Sequence, residues 1–281
     1  MTRSLKTAYN LLTTAGPAAV ARASIEKAGM WWRHGSTFDV GRIIGRPAAI
    51  ARLDGCAFEL QWPTVADNVK YLMLSGKHEQ PERRLVKQFV PSDAPIVEFG
   101  AAFGVVSCIT NRRLADPTRH VAVEANPALI PVLTANRDRN KCRFEILHRA
   151  IAYDAPTVGL ELDENPLASR VQTAARAVTQ VPTTTLRRIV EERGFRRCTL
   201  VCDIEGAELD LVRREADTIG DCVETIVLEL HERMIGREQT AEMLARLHDV
   251  GFTIVARRWE SVVLRKPASS SRASRTKTRT S

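Results

Sequence analysis

The sequence predicts an α/β fold: a mostly parallel sheet with helices on both faces and an antiparallel last strand. Three observations predict it. Apolar strand candidates recur at 95–99 (PIVEF), 119–124 (RHVAVE), 143–151 (RFEILHRAI), 198–204 (CTLVCDI) and 223–230 (VETIVLEL). Helical stretches separate most of them, among them PALIPVLTANRDRN, GAELDLVRRE and REQTAEMLARLHDVG, the last ending on Gly251. Finally, GFTIVARRWESVVLRK (251–266) gives two strands with only a tight turn between them, and such a pair is antiparallel.

With 281 residues, 44% apolar and 26% charged, the chain can bury a full core, which excludes a disordered or fibrous class for its bulk. No apolar run reaches membrane-spanning length. Residues 1–48 read as a largely helical N-terminal extension. Within it Asn10, Thr13, Thr14 and Gly16-Pro17 interrupt what would be the apolar centre of a signal peptide, so the expected location is cytoplasmic. The main domain is expected over 49–264. The net charge of +8 is concentrated beyond it, because 265–281 (RKPASSSRASRTKTRTS) holds six basic residues and no acid. That composition predicts a disordered basic tail able to contact anionic surfaces, not a basic stripe on a folded face, and no specific nucleic-acid partner is expected. The six cysteines, Cys56, Cys108, Cys142, Cys198, Cys202 and Cys222, form no CxxC pair and read as reduced core residues.

The first element of the main domain is a hairpin. Asp54-Gly55 lies between two alternating runs in AIARLDGCAFELQW (49–62), with Phe58, Leu60 and Trp62 on one face. HEQPERRLVKQFV (78–90) reads as a helix with an acidic start and Pro81 in its first turn. Next comes PIVEFGAAFGVVSC (95–108): a strand, a turn with two glycines, and an apolar run that opens a helix. Such a turn brings backbone close to a ligand at a helix N-terminus. A dinucleotide fingerprint would place glycine where this chain has Ala102, and no Lys or Arg between Gly100 and Asn111 is present to meet a phosphate.

In open α/β sheets the ligand lies beyond the carboxyl ends of the strands. Those ends carry Glu98, Glu124, Asp203 with Glu205, and Glu229 with His231. Glu124 stands 20 residues past Gly104, the offset at which a carboxylate accepts hydrogen bonds from ribose hydroxyls. The expected ligand is therefore a nucleoside without an obligatory phosphate, and an acid-lined pocket tolerates a cationic one. S-adenosylmethionine meets each condition.

PIVEFGAAFGVVS, HVAVEANP, VPTTTLRRIV, LVCDIEGAELDLV and IVLELHE occur in an order and spacing that resemble the FkbM family of S-adenosylmethionine-dependent methyltransferases, with DIEGAE the most specific segment. The resemblance covers about residues 50–264. It implies a Rossmann-like class I methyltransferase sheet of seven strands with the last antiparallel. The implied cofactor-binding set is Glu98, Gly100, Ala102, Gly104, Glu124, Asn126 and Ala150. Two positions depart from the family's usual pattern, Arg187 in place of an Asp and His78 in place of an aromatic residue.

The implied reaction is methylation of a hydroxyl on a small molecule or glycan by in-line displacement, which requires alignment and removal of one proton. Asp203 is the first candidate to orient or deprotonate the hydroxyl, with Glu205 beside it. His231 is the second, because a pKa of about 6.5 suits a base at neutral pH. A Mg²⁺ ion held by Asp203, Glu205 and Glu229 is a rival arrangement, ranked below a metal-free site. A nucleic-acid methyltransferase and a non-catalytic S-adenosylmethionine-binding protein are the alternatives. Base amino-methylation brings an Asn/Asp-Pro-Pro-aromatic motif where this chain reads DIEG, and an NAD-dependent oxidoreductase ranks last because of Ala102.

Overall fold

Two residues with positive φ, Asp54 (49°) and Gly55 (83°), close the first hairpin in the computed structural model of the chain. This is the backbone that a two-residue turn between twisted strands needs. The structure describes residues 50–65, 67–161, 170–172 and 179–267; the expected helical extension and most of the basic tail lie outside them. The hairpin strands are β1 (Ile50–Leu53) and β2 (Cys56–Glu59). Phe58 and Leu60 are fully buried, while Trp62 is half-buried against the same core.

Two helices follow, α1 (Asp67–Ser75) and α2 (Gln80–Phe89). The first had no clear sequence signal. The second starts at Gln80, after a left-handed Glu79, and not at His78 as its composition suggested.

The central sheet is built from β3 (Ile96–Phe99), β4 (His120–Glu124), β5 (Glu145–His148), β10 (Cys198–Cys202), β11 (Val223–Glu229), β12 (Thr253–Arg258) and β13 (Ser261–Arg265). Its order is β12-β13-β11-β10-β3-β4-β5, parallel except for β13, which runs antiparallel to both neighbours. Both the seven strands and the antiparallel end agree with expectation. The order reverses direction between β3 and β10, a switch point where a crevice opens beyond the strand ends.

Helices α3 (Val105–Asn111), α4 (Ile130–Arg139), α5 (Leu186–Glu192), α6 (Glu208–Cys222), α7 (Glu232–Ile235) and α8 (Arg237–Asp249) complete the layers. Successive strand residues point to opposite faces. Ile96, Ala122, Val201 and Val227 pack with the hairpin and α1–α4, while Val97, Val121, Leu200 and Ile226 pack with α5, α6 and α8. Helix α4 begins at Ile130, three residues after the expected Pro127, because Asn126 first closes a turn: its Oδ1 accepts from Ala128 N and its carbonyl from Leu129 N.

The expected strand 143–151 is broken. After β5 the chain leaves the sheet, and β6 (Ala150–Ile151) pairs with β9 (Thr179–Thr184) in a second sheet of order β6-β9-β7-β8, with β7 at Thr157–Glu161 and β8 at Arg170–Gln172. Of these short strands β7 alternates apolar residues, Val158 and Leu160, but over too few positions to reveal a strand in sequence. At the far end β13 continues through Arg265, and Lys266 N donates to Glu224 O, so the ordered backbone passes the expected limit at 264.

Candidate active site

The glycine turn after β3 is held tightly. Gly100 (φ 83°), Ala102 (φ 45°) and Gly104 (φ 78°) all take left-handed backbone, and the N–H groups of Gly100 and Ala101 both donate to Val123 O. A Cβ on Gly100 would lie 1.6 Å from the carbonyl oxygen of Asp203, so the loop after β3 is pressed directly against the loop after β10. Gly104 caps α3 from beneath Leu133. Asn136 of α4 ties this loop to the N-terminal hairpin, donating to Phe103 O at 2.9 Å and accepting from Glu59 N at 2.9 Å.

Glu124, at the end of β4, faces that loop. Its Oε2 accepts from Ala102 N at 2.7 Å and its Oε1 from Asn126 N at 2.7 Å. Burial pushes its pKa up, against the backbone N–H groups of Asn126 and Ala102, which favour the carboxylate. Ala150 lies nearby in a small cluster with Leu160 and Val181, against which Ala125 packs.

Glu98 is placed differently from its expected position at the strand end. It sits one residue inside β3 on the core face, where Oε1 accepts from Ser107 Oγ at 2.9 Å and Oε2 lies 2.8 Å from His120 Nε2. Both of its oxygens are therefore already engaged.

The DIEG turn after β10 has positive φ at Glu205 (53°) and Gly206 (99°). It is fixed by Glu208, which is fully buried at the start of α6. Its Oε1 accepts from Ile204 N at 2.9 Å and lies 2.9 Å from His231 Nδ1. The other ring nitrogen, Nε2, is 3.4 Å from Asp203 Oδ1 and 3.6 Å from Glu205 Oε2. Burial lowers the affinity of His231 for a proton, but the Glu208 contact and the charges of Glu208, Asp203 and Glu205 outweigh it and raise the pKa to about 9. At neutral pH His231 is thus an imidazolium tethered to carboxylates, not the free base that its ordinary pKa suggested. Asp203 is raised as well: burial first, then the charge of Glu229, pushes its carboxyl well above the usual range.

The structure therefore brings together Asp203, Glu205, His231 and Glu229 beyond the ends of β10 and β11, with Gly100 beside Asp203. The metal set expected from sequence, Asp203 with Glu205 and Glu229, divides in two. Asp203 groups with Glu205 and His231, and separately with Glu229 and Glu82. Sequence reasoning missed Glu82 and Glu208. Glu208 was visible inside DIEGAE; Glu82 looked like an ordinary acid at a helix start, and only packing turns it inward. Of the two departures from the family pattern, Arg187 is exposed on the first turn of α5, while His78 is buried and paired with Glu79 at 3.0 Å.

A larger hollow of about 530 Å³ lies elsewhere, among the hairpin and the C-terminal ends of α3 and α4, lined by Arg52, Arg112, Arg139 and Lys141. None of the rim acids lines it. Among the described residues no helix is long and apolar enough to cross a membrane.

The methyltransferase FkbM domain family matches residues 98–254. No curated protein matches the chain. Among solved structures it is similar to a protein of the NADB-Rossmann superfamily from Streptococcus agalactiae, with 13% identity over 66% of this chain and 67% of that one and a TM-score of 0.42. It is similar also to a precorrin-6y C5,15-methyltransferase from Geobacter metallireducens, with 12% identity over 68% of this chain and 90% of that one and a TM-score of 0.41. A fibrillarin from Aeropyrum pernix, crystallised with natively bound S-adenosyl-L-methionine, shares 14% identity over 65% of this chain and 71% of that one at a TM-score of 0.37. The family match spans more than half of the 281 residues and includes the glycine turn, Glu124 and the DIEG turn: the chain belongs to the FkbM methyltransferase family.

Proposed function

We propose that the protein is an S-adenosylmethionine-dependent methyltransferase that methylates a hydroxyl group of a small molecule or glycan. The observation that carries this reading is Glu124, a buried strand-end carboxylate aimed at the left-handed Gly100–Gly104 loop, with Ala102 N–H already directed at it. The residues present fit a nucleoside. Glu124 keeps lone pairs for ribose hydroxyls, and Gly100 lies too close to the Asp203 backbone to carry a side chain.

Bound there, S-adenosylmethionine supplies a methyl group on a sulfonium to in-line displacement. The chain's own residues align the acceptor. Asp203, pressed against Gly100, is the group placed to hold the acceptor hydroxyl in line and to draw off its proton. His231, itself 2.9 Å from Glu208, stands 3.4 Å from Asp203 and offsets its charge. Alignment is worth up to roughly 7–11 kcal/mol and a positioned base about 10²–10⁴-fold, so the geometry of the two loops is the larger contribution.

S-adenosylhomocysteine at a hundred times its dissociation constant should stabilise the protein by about 2.7 kcal/mol, and NADH should leave it unchanged. A melting shift with NADH alone overturns the assignment. Methyl-labelled S-adenosylmethionine incubated with fractionated extract of the source cells identifies the acceptor.

A further inference from the structure

Glu82 is an acid of this region to which the proposed reaction gives no part. It sits in the first turn of α2 with its side chain turned inward, 4% exposed, and no described residue donates a hydrogen bond to it. One oxygen each from Glu82, Asp203 and Glu229 lie within 4.8 Å of one another. Asp203 Oδ1 is itself buried without a hydrogen bond, its near neighbour His231 Nε2 standing 3.4 Å away. Between Glu82 and Asp203 is a small cavity of about 10 Å³, bordered also by Glu79, Glu98, Gly100 and Ala101, with Glu229 outside its lining.

We propose that Glu82, Asp203 and Glu229 form a binding site for a single divalent cation such as Mg²⁺, Mn²⁺ or Ca²⁺. Three carboxylates this close cannot all stay ionised without a compensating positive charge. His231, with Nε2 3.4 Å from Asp203 Oδ1, supplies one positive charge against three carboxylates, and Arg83, next to Glu82 in the chain, binds Asp54 at 2.7 Å and Gly76 O at 2.7 Å. A cavity of this size admits about one water-sized sphere, which suits a monatomic ion. Its donors are all hard oxygens, the preference of these ions over softer metals. Oxygen–metal distances of about 2.0–2.6 Å put ligand oxygens on opposite sides of an ion roughly 4–5 Å apart, which the observed spacing satisfies. The alternative grouping of Asp203 with Glu205 and His231 is less suited, because His231 stands among three carboxylates, 3.4 Å from Asp203, 3.6 Å from Glu205 and 2.9 Å from Glu208, as their counter-charge.

An ion there would lie beside Gly100. It would act as a Lewis acid on an acceptor hydroxyl, so that Asp203 need not carry the proton alone.

The test uses the full chain, stripped with EDTA and titrated with Mn²⁺ followed by electron paramagnetic resonance, with calorimetry for Mg²⁺ and Ca²⁺. One site is expected, with a higher melting temperature on loading. Glu82→Gln and Glu229→Gln should each weaken Mn²⁺ binding by at least about tenfold while circular dichroism stays unchanged. Absence of Mn²⁺ binding by the parent chain overturns the proposal, as does unchanged affinity in both variants. So does a metal-free Glu82→Gln protein that is more stable than its parent while the parent ignores Mn²⁺, because protons then neutralise the cluster. S-adenosylhomocysteine affinity measured in EDTA reports separately on the cofactor site.

Discussion

The α-carbon of Gly100 packs against the backbone of Asp203 so closely that no side chain fits: a Cβ would stand 1.6 Å from the Asp203 carbonyl oxygen. This contact joins the cofactor loop to the DIEG turn. Gly100→Ala must displace backbone and should cost about 4 kcal/mol or more, in the class of severe substitutions. Gly104→Ala meets only the Leu133 methyl, at 2.6 Å, and should cost about 1–2 kcal/mol for the left-handed backbone plus a side-chain adjustment. Urea unfolding of the two variants checks the order, and a milder effect at Gly100 would contradict the packing.

Glu124 should make S-adenosylhomocysteine binding pH-dependent. Its carboxyl is raised above the ordinary value of 4.5 by burial, so on acidification it protonates earlier than an exposed glutamate. Protonation removes acceptor capacity, so S-adenosylhomocysteine affinity should be full at neutral pH and fall as pH drops through that raised pKa. Glu124→Ala should weaken binding by about 1.5–3 kcal/mol and flatten the acid limb. Calorimetry between neutral and mildly acidic pH measures both; an unchanged limb in the variant removes Glu124 from the site.

Glu215 supports α5 from the side. Buried at a kink in α6, it accepts from Leu186 N at 2.7 Å, Arg187 N at 2.6 Å and Tyr153 Oη at 2.9 Å. Glu215→Ala strands these donors and should cost about 2–4 kcal/mol; Glu215→Gln keeps one acceptor oxygen and should cost less. Denaturant midpoints distinguish this from an indifferent surface acid, for which both losses would be near zero.

The C-terminus should divide sharply. Arg265 donates to Phe89 O and Lys266 to Gly220 O, with Lys266 Nζ also 5.0 Å from the Phe252 ring centre. A chain ending at Pro267 should keep its melting temperature and S-adenosylhomocysteine affinity, whereas one ending at Leu264 should melt several degrees lower. The longer truncation product should lose only binding to anionic vesicles or polyphosphate, an effect that shrinks with salt. A large melting loss on ending at Pro267 would show that residues beyond it pack on the domain.

The sequence by itself determined what is local. Asp54-Gly55 permits the hairpin turn, Gly251 ends α8, and each central strand is an apolar run that side chains on both faces require. The acids that end β4, β10 and β11 were legible for the same reason, since a charged residue marks where a buried strand emerges. Tertiary structure alone decided which acids are free. Glu98 and Glu82 read alike as acids beside apolar residues, yet His120 and Ser107 engage the first, and the second faces Asp203 and Glu229 without a donor. His231 changes from base to imidazolium only because α6 brings Glu208 to its ring. Periodicity reports which face of an element is buried, but a pKa or a metal site depends on charges brought from distant segments, and their distances exist only once the layers have packed.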